Sequence, residues 1–432
     1  MMNARDDEKG IGLEVFYTDS IGIGGKLRKT AEDFIVDEIS LPPAKDEEGE
    51  YTIVRLKAKN WETNRLIRQM SKRLGISRKR IGFAGTKDRR AVTTQLISFK
   101  MPLENVKQLS FKDLDILDSY SSKKGLSLGE LIGNRFDIVI RDFECSDSKA
   151  KELVAEIQEK LTALGGFPNF FGHQRFGAVR PITHMAGRKI IEDDFEGAVL
   201  TYLGNPTELE GEEAFKARKA VEDGISHSEA LRIFPKHLNF EVAMLNHLVK
   251  NENDYIGAIA ILPKNLSMMF VHAFQSYLFN RLLSQRIRKG LLSKEPLIGD
   301  IILPANKQGL PDIKNEILVT KDNIDKIKKR IKERKAFVTG LVPGVYGNFA
   351  EGEQGEIEMR ILEEEKVSMD DFVVPKMREL SSKGRRRALV APLNDSRYEV
   401  EKSQVKLHFE LTKGCYATSF LREIMKTDML NY

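Results

Sequence analysis

The stretch GFAGTKDRRAVTTQ, residues 82–95, has an unusual charge pattern within this chain of 432 residues. A single carboxylate, Asp88, stands after Lys87 and before Arg89 and Arg90, just downstream of two glycines. A lone aspartate is ionised at neutral pH, and neighbouring cations lower its pKa further, so we expect Asp88 to be anionic. A permanent carboxylate suits a nucleophile or a base rather than a general acid. The alternative is an ordinary surface loop, in which solvated charges contribute little.

The residues on either side of this stretch alternate between strand and helix patterns. Alternating apolar and polar residues predict strands at EYTIVRLKAKN (50–60), at LISF (96–99) and at NRFDIVIRDF (134–143). In WETNRLIRQMSKRLG (61–75), Leu, Met and Leu recur every four residues, which predicts a helix that Asn60 caps and the final glycine ends. The charged stretch is therefore expected in a domain of mixed strands and helices.

The middle of the chain differs in composition from its two ends. PNFFGHQRFGAVRPITH (168–184) is dense in aromatic residues, glycine and arginine, which predicts a surface loop with a function. The pattern from about 190 to 340 is mostly helical, and mixed structure returns towards the C-terminus. These changes predict one domain formed by residues 1–166 and 384–432, with residues 167–383 inserted in it.

Composition excludes several classes of protein. With 41% hydrophobic and 31% charged residues, the chain is expected to be globular rather than disordered. Its net charge of +5 favours a polyanionic partner only weakly. Cys145 and Cys415 lie far apart in sequence, which favours a reducing, cytoplasmic compartment over a disulfide framework. No apolar run approaches the ~20 residues that span a membrane, and no signal peptide is recognisable.

The motifs of metal and nucleotide sites are missing from the sequence. None of the seven histidines forms an HExxH motif or a close pair with cysteine. GFAGTK lacks the spacing of a phosphate-binding loop, and GIGG (22–25) lacks the dinucleotide fingerprint. We therefore predict neither a metal nor a cofactor.

Clusters of basic and aromatic residues indicate RNA instead. Basic residues from 65 to 80 lead directly into the charged stretch, and a polyanion could follow them. Aromatic residues interleaved with polar ones are typical of surfaces that bind unstacked bases. Such residues are Phe170, Phe171, His173, Gln174, Arg175 and Phe176. KGRRR (383–387) and Arg422 are expected to add phosphate contacts. The residues alone thus predict an RNA-binding protein with one poised carboxylate.

The chain closely resembles the TruD-type family of pseudouridine synthases, as an archaeal-like member. The stretches that carry the resemblance occur in the order of the family and span nearly the whole chain. They are AEDFIVDE (31–38), GFAGTKDRRAVTTQ (82–95), GNRFDIVIR (133–141), NFFGHQRFG (169–177), HAFQSYLFNRLL (272–283), GLVPG (340–344) and GCYATSFLREIMK (414–426).

The resemblance implies an α+β fold. The expected catalytic domain has a mixed, largely antiparallel sheet flanked by helices, with the catalytic cleft across the sheet. The expected second domain is a mainly helical α/β insertion, specific to the family, which gives a V-shaped molecule with a basic cleft.

The resemblance also implies roles for individual residues. The invariant aspartate of the family falls on Asp88. The Gly-Asn-x-Phe motif includes Asn134 and Phe136, and Phe136 takes the place of an active-site tyrosine used by sister families. A lysine of the family aligns with Arg28, although Lys29 follows one position later. Asn134 is expected to bind the base or to anchor the loop, and Phe136 to stack on the flipped base.

The activity implied is that of an isomerase that converts uridine to pseudouridine at uridine 13 of tRNA, without metal or redox cofactor. It needs tRNA but no obligatory protein partner. Cations such as Lys87 would offset the phosphate field and keep Asp88 anionic.

Two rival functions stay open at this point. A non-catalytic RNA-binding protein or RNA chaperone needs only the basic and aromatic surfaces, and would be indifferent to loss of the Asp88 carboxylate. An RNA hydrolase would pair Asp88 with a metal, which requires further carboxylates to converge on it. The candidates are Glu32, Asp33, Asp37 and Glu38.

Overall fold

A computed structural model describes residues 2–87 and 89–432, so the predicted catalytic Asp88 lies outside the described residues. The strands are β1 Met2–Asn3, β2 Val15–Phe16, β3 Gly24–Lys26, β4 Phe34–Ser40, β5 Tyr51–Lys59, β6 Ile81–Phe83, β7 Val92–Phe99, β8 Leu114–Ser122, β9 Leu131–Phe143, β10 Phe167–Pro168, β11 Ile301–Pro304, β12 Ile317–Leu318, β13 Ala336–Val342, β14 Arg385–Ala388, β15 Val390–Ala391, β16 Asn394–Glu401 and β17 Gln404–Thr412.

The helices are α1 Asp6–Lys9, α2 Thr63–Leu74, α3 Leu103–Lys107, α4 Asp147–Leu164, α5 Thr183–Ile191, α6 Phe195–Leu203, α7 Glu212–Glu222, α8 His227–Ile233, α9 Asn239–Lys250, α10 Tyr255–Ala260, α11 Lys264–Arg288, α12 Ile324–Lys332, α13 Gly352–Glu364 and α14 Ala417–Met425. Short 3-10 helices occupy Ala31–Asp33, Arg78–Arg80, His173–Arg175, Asp370–Phe372, Pro375–Leu380 and Met429–Asn431. No helix within the described ranges is long and apolar enough to cross a membrane.

The chain divides into two compact units. We call residues 20–167, 391–427 and 431–432 the sheet unit, and residues 2–19, 168–390 and 428–430 the helical unit. The chain passes between the units close to the predicted domain limits. Residues 2–19, however, pack with the helical unit, because the Asn280 amide donates to the carbonyl oxygen of Ile11 at 3.1 Å. The assignment of these units to the domains of the family stays a prediction.

The sheet unit is built on one mixed, largely antiparallel sheet, as predicted. The strand order is β16-β17-β9-β4-β7-β5-β8, with β3 beside β9 and β6 beside β7. Strands β4 and β7 run parallel, whereas the other neighbours along this path are antiparallel. The α+β fold class is therefore confirmed, and the parallel pair β4–β7 places the start of β4 beside the start of β7.

Alternation along the central strands gives the sheet its buried face. In β9, Phe136, Ile138 and Ile140 are buried, while the residues between them are more exposed. On the same face, Phe409 of β17 meets Phe420 of α14, with ring centroids 4.8 Å apart. This apolar layer supports the strands from which the candidate site is built.

Helix α2 forms where the sequence predicts it, but its cap differs. Leu66, Ile67 and Met70 pack into the core against β5 and β7, and Gly75 ends the helix in the left-handed conformation. The predicted cap at Asn60 is wrong. The carboxylate of Glu62 accepts hydrogen bonds from the first-turn amides and caps the helix instead. A carboxylate is favourable there because it also meets the positive end of the helix dipole.

The helical unit is organised around the long helix α11. Helix α5 lies along α11 so closely that a Cβ at Gly187 would overlap the carbonyl oxygen of Phe270. A small antiparallel sheet, in the order β12-β11-β13-β14, completes the unit, and the apolar side of α12 packs on it through Ile327. The predicted mainly helical character with some strand is confirmed.

Candidate functional site

The loop between β6 and β7, which carries the predicted carboxylate, is fixed at Lys87 by the first residue of α2. The Lys87 amide donates to Oγ1 of Thr63 at 2.7 Å, and the Thr63 amide donates back to the Lys87 carbonyl oxygen at 3.3 Å. Both side chains are buried. The backbone of the loop is therefore anchored at the position just before Asp88.

The Lys87 side chain is anchored as well, by a buried ion pair. Its Nζ lies 2.8 Å from Oε2 of Glu38, and the two side chains are 5% and 1% exposed. The other Glu38 oxygen accepts a hydrogen bond from the Ser40 hydroxyl at 2.6 Å. The charge of Lys87 is neutralised inside the protein, which favours a role in positioning the loop. A contact of Lys87 with the substrate stays a prediction.

On the other side of Asp88, the loop is held at Arg90 and Ala91. Arg90 adopts a left-handed backbone conformation, with φ of 63°, and its guanidinium donates to the carbonyl oxygen of Arg28 at 3.2 Å. The carbonyl oxygen of Ala91 accepts a hydrogen bond from the Asn60 amide at 3.0 Å. The loop is thus tied to three different segments of the sheet unit.

Polar side chains cross the buried face of the sheet beside this loop. Asn134 of β9 lies opposite Glu38 of β4. On the other side of β4, Asp37 pairs with Thr94 of β7 in a parallel register, so the next residues along, Glu38 and Gln95, are neighbours. The Thr63 hydroxyl donates to Oε1 of Gln95 at 3.3 Å, and this bond sets the orientation of the Gln95 side-chain amide. These side chains therefore form a polar row across the centre of the sheet, in the order Asn134, Glu38 and Gln95.

Two atoms of this row have no hydrogen-bond partner among the described residues. They are the carbonyl oxygen Oδ1 of Asn134 and the amide nitrogen Nε2 of Gln95, and both atoms are buried. Leaving a buried donor or acceptor unpaired costs about 1–3 kcal/mol. An acceptor and a donor left in this state beside an anchored loop suit a polar ligand that satisfies both.

The structure places Phe136 within an aromatic stack. It is 8% exposed, its ring stacks on Phe409 with centroids 5.1 Å apart, and its edge meets Phe34 at 6.3 Å. Burial favours the core interpretation of this residue, and its stacking on a flipped base stays a prediction.

Arg28 joins the same cluster, whereas Lys29 does not. The Arg28 guanidinium lies over the Phe34 ring, 4.0 Å from its centroid. Lys29 pairs with Asp142 at 2.8 Å, and both of these side chains are largely exposed. Of the two cations that the family alignment leaves open, Arg28 is the one beside Phe34 and Phe136.

The predicted surface loop at 168–184 is wrong in its aromatic part. Phe170, Phe171 and Phe176 are at most 2% exposed. Phe171 packs edge-on against Phe279 of α11, and the Arg387 guanidinium covers it at 4.1 Å. A base has no access to this ring, so the burial does not support Phe171 as a stacking residue. Its neighbours Gln174 and Arg175 are half-buried, and their contact with RNA stays a prediction.

The KGRRR cluster divides between the interior and the surface. Arg386 is buried and ion-paired with Glu358 at 2.9 Å, and Arg387 is buried with its guanidinium bonded to Asn169 at 2.6 Å. The expectation that these two arginines contact phosphates is wrong, because they hold the helical unit together. Arg385, in contrast, is exposed.

Arg422 is buried in α14. Its side chain is 4% exposed and lies 3.8 Å from the carboxylate of Glu423. The burial does not support the predicted phosphate contact at this position.

The basic residues of α2 and the following turn are exposed, in line with the sequence prediction. They are Arg65, Arg68, Lys72, Arg73, Arg78, Lys79 and Arg80. Among the described residues, Arg68 in the middle of α2 and Lys72 and Arg73 in its last turn lie in no ion pair. This surface therefore presents uncompensated positive charge within the sheet unit.

The sequence interpretation missed Thr63 and Gln95, and weighed Glu38 only as a metal ligand. The alternation of residues along β4 could have indicated that Glu38 is buried, since Glu38 shares the inward face of this strand with Phe34 and Val36. A carboxylate on an inward-facing position needs a buried partner, which here is Lys87.

The chain matches one protein family along nearly its whole length. The sequence model of the family described as tRNA pseudouridine synthase D (TruD) matches residues 10–424. The chain is 41% identical to a protein of Methanosarcina barkeri described as probable tRNA pseudouridine synthase D, over 99% of each chain. It is 42% identical to a protein of Methanococcoides burtonii with the same description, over 100% of this chain and 99% of the other.

A crystal structure of a candidate tRNA pseudouridine synthase D from Methanosarcina mazei has the same fold. It superposes with a TM-score of 0.86 at 41% identity, with both chains covered completely. The fold is thus that of a pseudouridine synthase with an inserted second domain. The chain belongs to the tRNA pseudouridine synthase D (TruD) family.

Proposed function

We propose that this protein isomerises uridine to pseudouridine in tRNA, at uridine 13, with Asp88 as the catalytic carboxylate. Family membership supports the reaction and the tRNA substrate. The observation that carries the assignment of the site is the doubly anchored loop, held at Lys87 by Thr63 and Glu38. We expect the enzyme to act in the cytoplasm and to need no obligatory protein partner.

The reaction moves one bond and conserves atoms and electrons. The C1′–N1 bond of the uridine breaks, the uracil turns, and C1′ bonds to C5, while C5 loses a proton and N1 gains one. An anionic Asp88 can attack C1′ or remove the proton from C2′, and both routes need a carboxylate in its charged form. Arg28 and Arg90 provide positive charge beside the loop, which offsets the field of the phosphates.

The unpaired polar atoms explain how the site would hold the base. The imide edge of uracil presents an N–H donor flanked by carbonyl acceptors. Oδ1 of Asn134 can accept from the N–H, and Nε2 of Gln95 can donate to a carbonyl oxygen, so one base would satisfy both atoms. The cost of unstacking the uridine, a few kcal/mol, would be offset in part by these bonds.

Mapping of pseudouridine in tRNA tests the proposal. A strain without the protein is complemented with wild type, Asp88→Asn or Asp142→Asn, the last being a matched change at an exposed carboxylate. We expect pseudouridine at position 13 with wild type and Asp142→Asn, and none with Asp88→Asn. Modification at another position would contradict the assigned target, and modification by Asp88→Asn would contradict the assigned carboxylate.

Purified protein separates the rival functions. Asp88→Asn should keep tRNA affinity within a few fold, because removal of a negative charge does not weaken binding to a polyanion. Wild-type protein that binds tRNA without turnover would favour the RNA chaperone. Strong inhibition by a chelator would favour the metal-dependent hydrolase.

A further inference from the structure

The most exposed aromatic side chain among the described residues is Tyr346, in the loop that joins β13 to α13. It is 70% exposed, whereas the next exposed aromatics of this unit, Phe240 and Phe349, are 43% and 36% exposed. Exposing a tyrosine to this extent forgoes the free energy of burying its ring. A surface ring of this kind is available to a flat partner.

The loop that carries Tyr346 is held in place by its backbone. The amides of Val345 and Tyr346 donate to the carbonyl oxygens of Ser382 and Lys383, each at 2.8 Å. Gly344 and Gly384 approach so closely that a Cβ on Gly344 would overlap the Gly384 backbone. The ring of Tyr346 therefore projects from a braced loop, and little conformational entropy is lost when a ligand binds it.

A buried glutamine ties both sides of this arrangement to α11. The Gln275 amide donates to the carbonyl oxygen of Pro343, and the Ser382 hydroxyl donates to the Gln275 carbonyl oxygen at 3.0 Å. The two segments that approach at Gly344 and Gly384 are thus fixed to the same residue of the longest helix.

Cations lie on the segment whose backbone pairs with the Tyr346 loop. Lys383, whose carbonyl oxygen accepts from the Tyr346 amide, is exposed, and so is Arg385 two residues further on. Arg385 and Arg175 also lie near His272 of α11, whose pKa is lowered first by burial and then by these two charges. Within the described part of the chain, Lys383 forms no ion pair. The surface thus combines one aromatic ring with three cations from two segments, Lys383 and Arg385 on one and Arg175 on the other.

We infer that Tyr346, Lys383, Arg385 and Arg175 form a contact surface for an unpaired segment of the RNA substrate. Tyr346 stacks on one base, and the cations contact the flanking phosphates. An exposed ring beside cations is how proteins bind single-stranded nucleic acid without reading its sequence. This inference rests on the proposed RNA substrate, but it concerns a surface formed entirely within the helical unit.

Direct binding tests the inference apart from catalysis. Affinity for tRNA and for a 12-nucleotide oligouridine is measured in the Asp88→Asn background, at several salt concentrations. We expect Tyr346→Ala to weaken binding of both RNAs roughly tenfold, and Tyr346→Phe to stay within about twofold of the parent, because it keeps the ring face. Lys383→Ala with Arg385→Ala should lower the slope of log affinity against log salt by about one to two.

The matched control is Phe240→Ala with Lys250→Ala, which removes an exposed ring and an exposed cation from α9 of the same unit. Its RNA affinity should equal that of the parent. Unchanged affinity in Tyr346→Ala would overturn the stacking role and leave the ring free for a protein partner. A loss confined to the lysine and arginine variant would also overturn it, since charge alone would then explain binding.

The two proposals fail in different ways. If wild type makes no pseudouridine but Tyr346→Ala still loses oligouridine affinity, the RNA contact at Tyr346 is supported and the proposed reaction is contradicted. If modification at position 13 is found and Tyr346→Ala binds like its parent, the reaction stands and the surface is overturned.

Discussion

Nζ of Lys87 lies 2.8 Å from Oε2 of Glu38, and both side chains are almost completely buried. This ion pair connects the loop before Asp88 to the central strand β4. Taking two charges out of water is costly, so the pair adds little to the net free energy of unfolding. Its main effect is to fix the position of the loop. The exposed pair of Lys29 and Asp142 in the same unit has no such role, since water screens it.

Breaking the buried pair from one side should be costly. Glu38→Gln leaves the Lys87 charge buried without a counterion, and we expect the free energy of unfolding to fall by about 3–5 kcal/mol. Glu38→Gln with Lys87→Met removes both charges and should recover part of that loss. Urea unfolding of the single and double variants measures this. Asp142→Asn is the control, with an expected change of about 0–1 kcal/mol. Equal effects of Glu38→Gln and Asp142→Asn would contradict a structural role for the buried pair.

Gln95 should matter for activity more than for stability. Gln95→Met keeps the length of the side chain but removes the unpaired Nε2 donor, so we expect kcat/KM to fall about tenfold or more. The free energy of unfolding should change by only about 1 kcal/mol, because only the bond from Thr63 is lost. Tritium release from labelled tRNA gives the activity. Gln108→Met, at an exposed position, is the control, and equal activities of the two variants would exclude a substrate contact for Gln95.

Phe136 tests whether a buried ring also faces the substrate. Phe136→Ala should lower the free energy of unfolding by about 3–5 kcal/mol, because it leaves a cavity between Phe34 and Phe409. Phe136→Tyr should be milder in both stability and activity, since the ring is kept. Melting curves and activity per folded molecule are compared. Unimpaired activity in folded Phe136→Ala would assign this residue to the core alone.

Much of the sheet unit could be predicted because its signals are local. The strand at β9 follows from alternating residues, and helix α2 from apolar residues every four positions. The charged loop was found because three cations around one acid are visible in the sequence itself. What remained hidden depends on partners far along the chain, as with Lys87 and Glu38, which are 49 residues apart.

The arginine and phenylalanine clusters show why composition misleads. Arg386 and Arg387 look like a surface cluster in the sequence, yet Glu358 and Asn169 pair with them in the interior. Phe171 is covered by one of these arginines, and its burial does not support a contact with RNA. A sequence gives the residue types, but the pairing that permits burial of a charge is set by tertiary contacts.

The exposed residues of α2, rather than the buried arginines, should set the salt dependence of tRNA binding. Neutralising Arg68, Lys72 and Arg73 together should lower the slope of log affinity against log salt by about two to three. The rate at saturating tRNA should change little. Salt-titrated filter binding provides the slopes, with Lys149→Ala and Lys151→Ala on α4 as the control. Identical slopes for both sets of variants would mean that α2 does not contact RNA.

His184 should make the stability of the helical unit depend on pH. It is 7% exposed, stacks on Tyr277 and meets Phe176 edge-on. Burial lowers its pKa from 6.5 to about 4, against smaller opposing effects from the Gly10 backbone and Glu365. Between these two pH values the unfolded chain binds a proton that the folded protein does not. The free energy of unfolding should therefore fall as the pH drops through this window, by about 1.4 kcal/mol per pH unit.

Replacing the imidazole isolates this contribution from that of the carboxylates. His184→Phe keeps an aromatic ring between Tyr277 and Phe176 but cannot take up a proton. Its free energy of unfolding should be lower than that of wild type at neutral pH, because the bond to the Gly10 backbone is lost, yet it should decline less steeply towards pH 4. Urea unfolding at several pH values between about 7 and 4 gives both curves, and His237→Gln, at an exposed histidine, should follow wild type. Parallel curves for wild type and His184→Phe would show that His184 does not titrate on unfolding in this range.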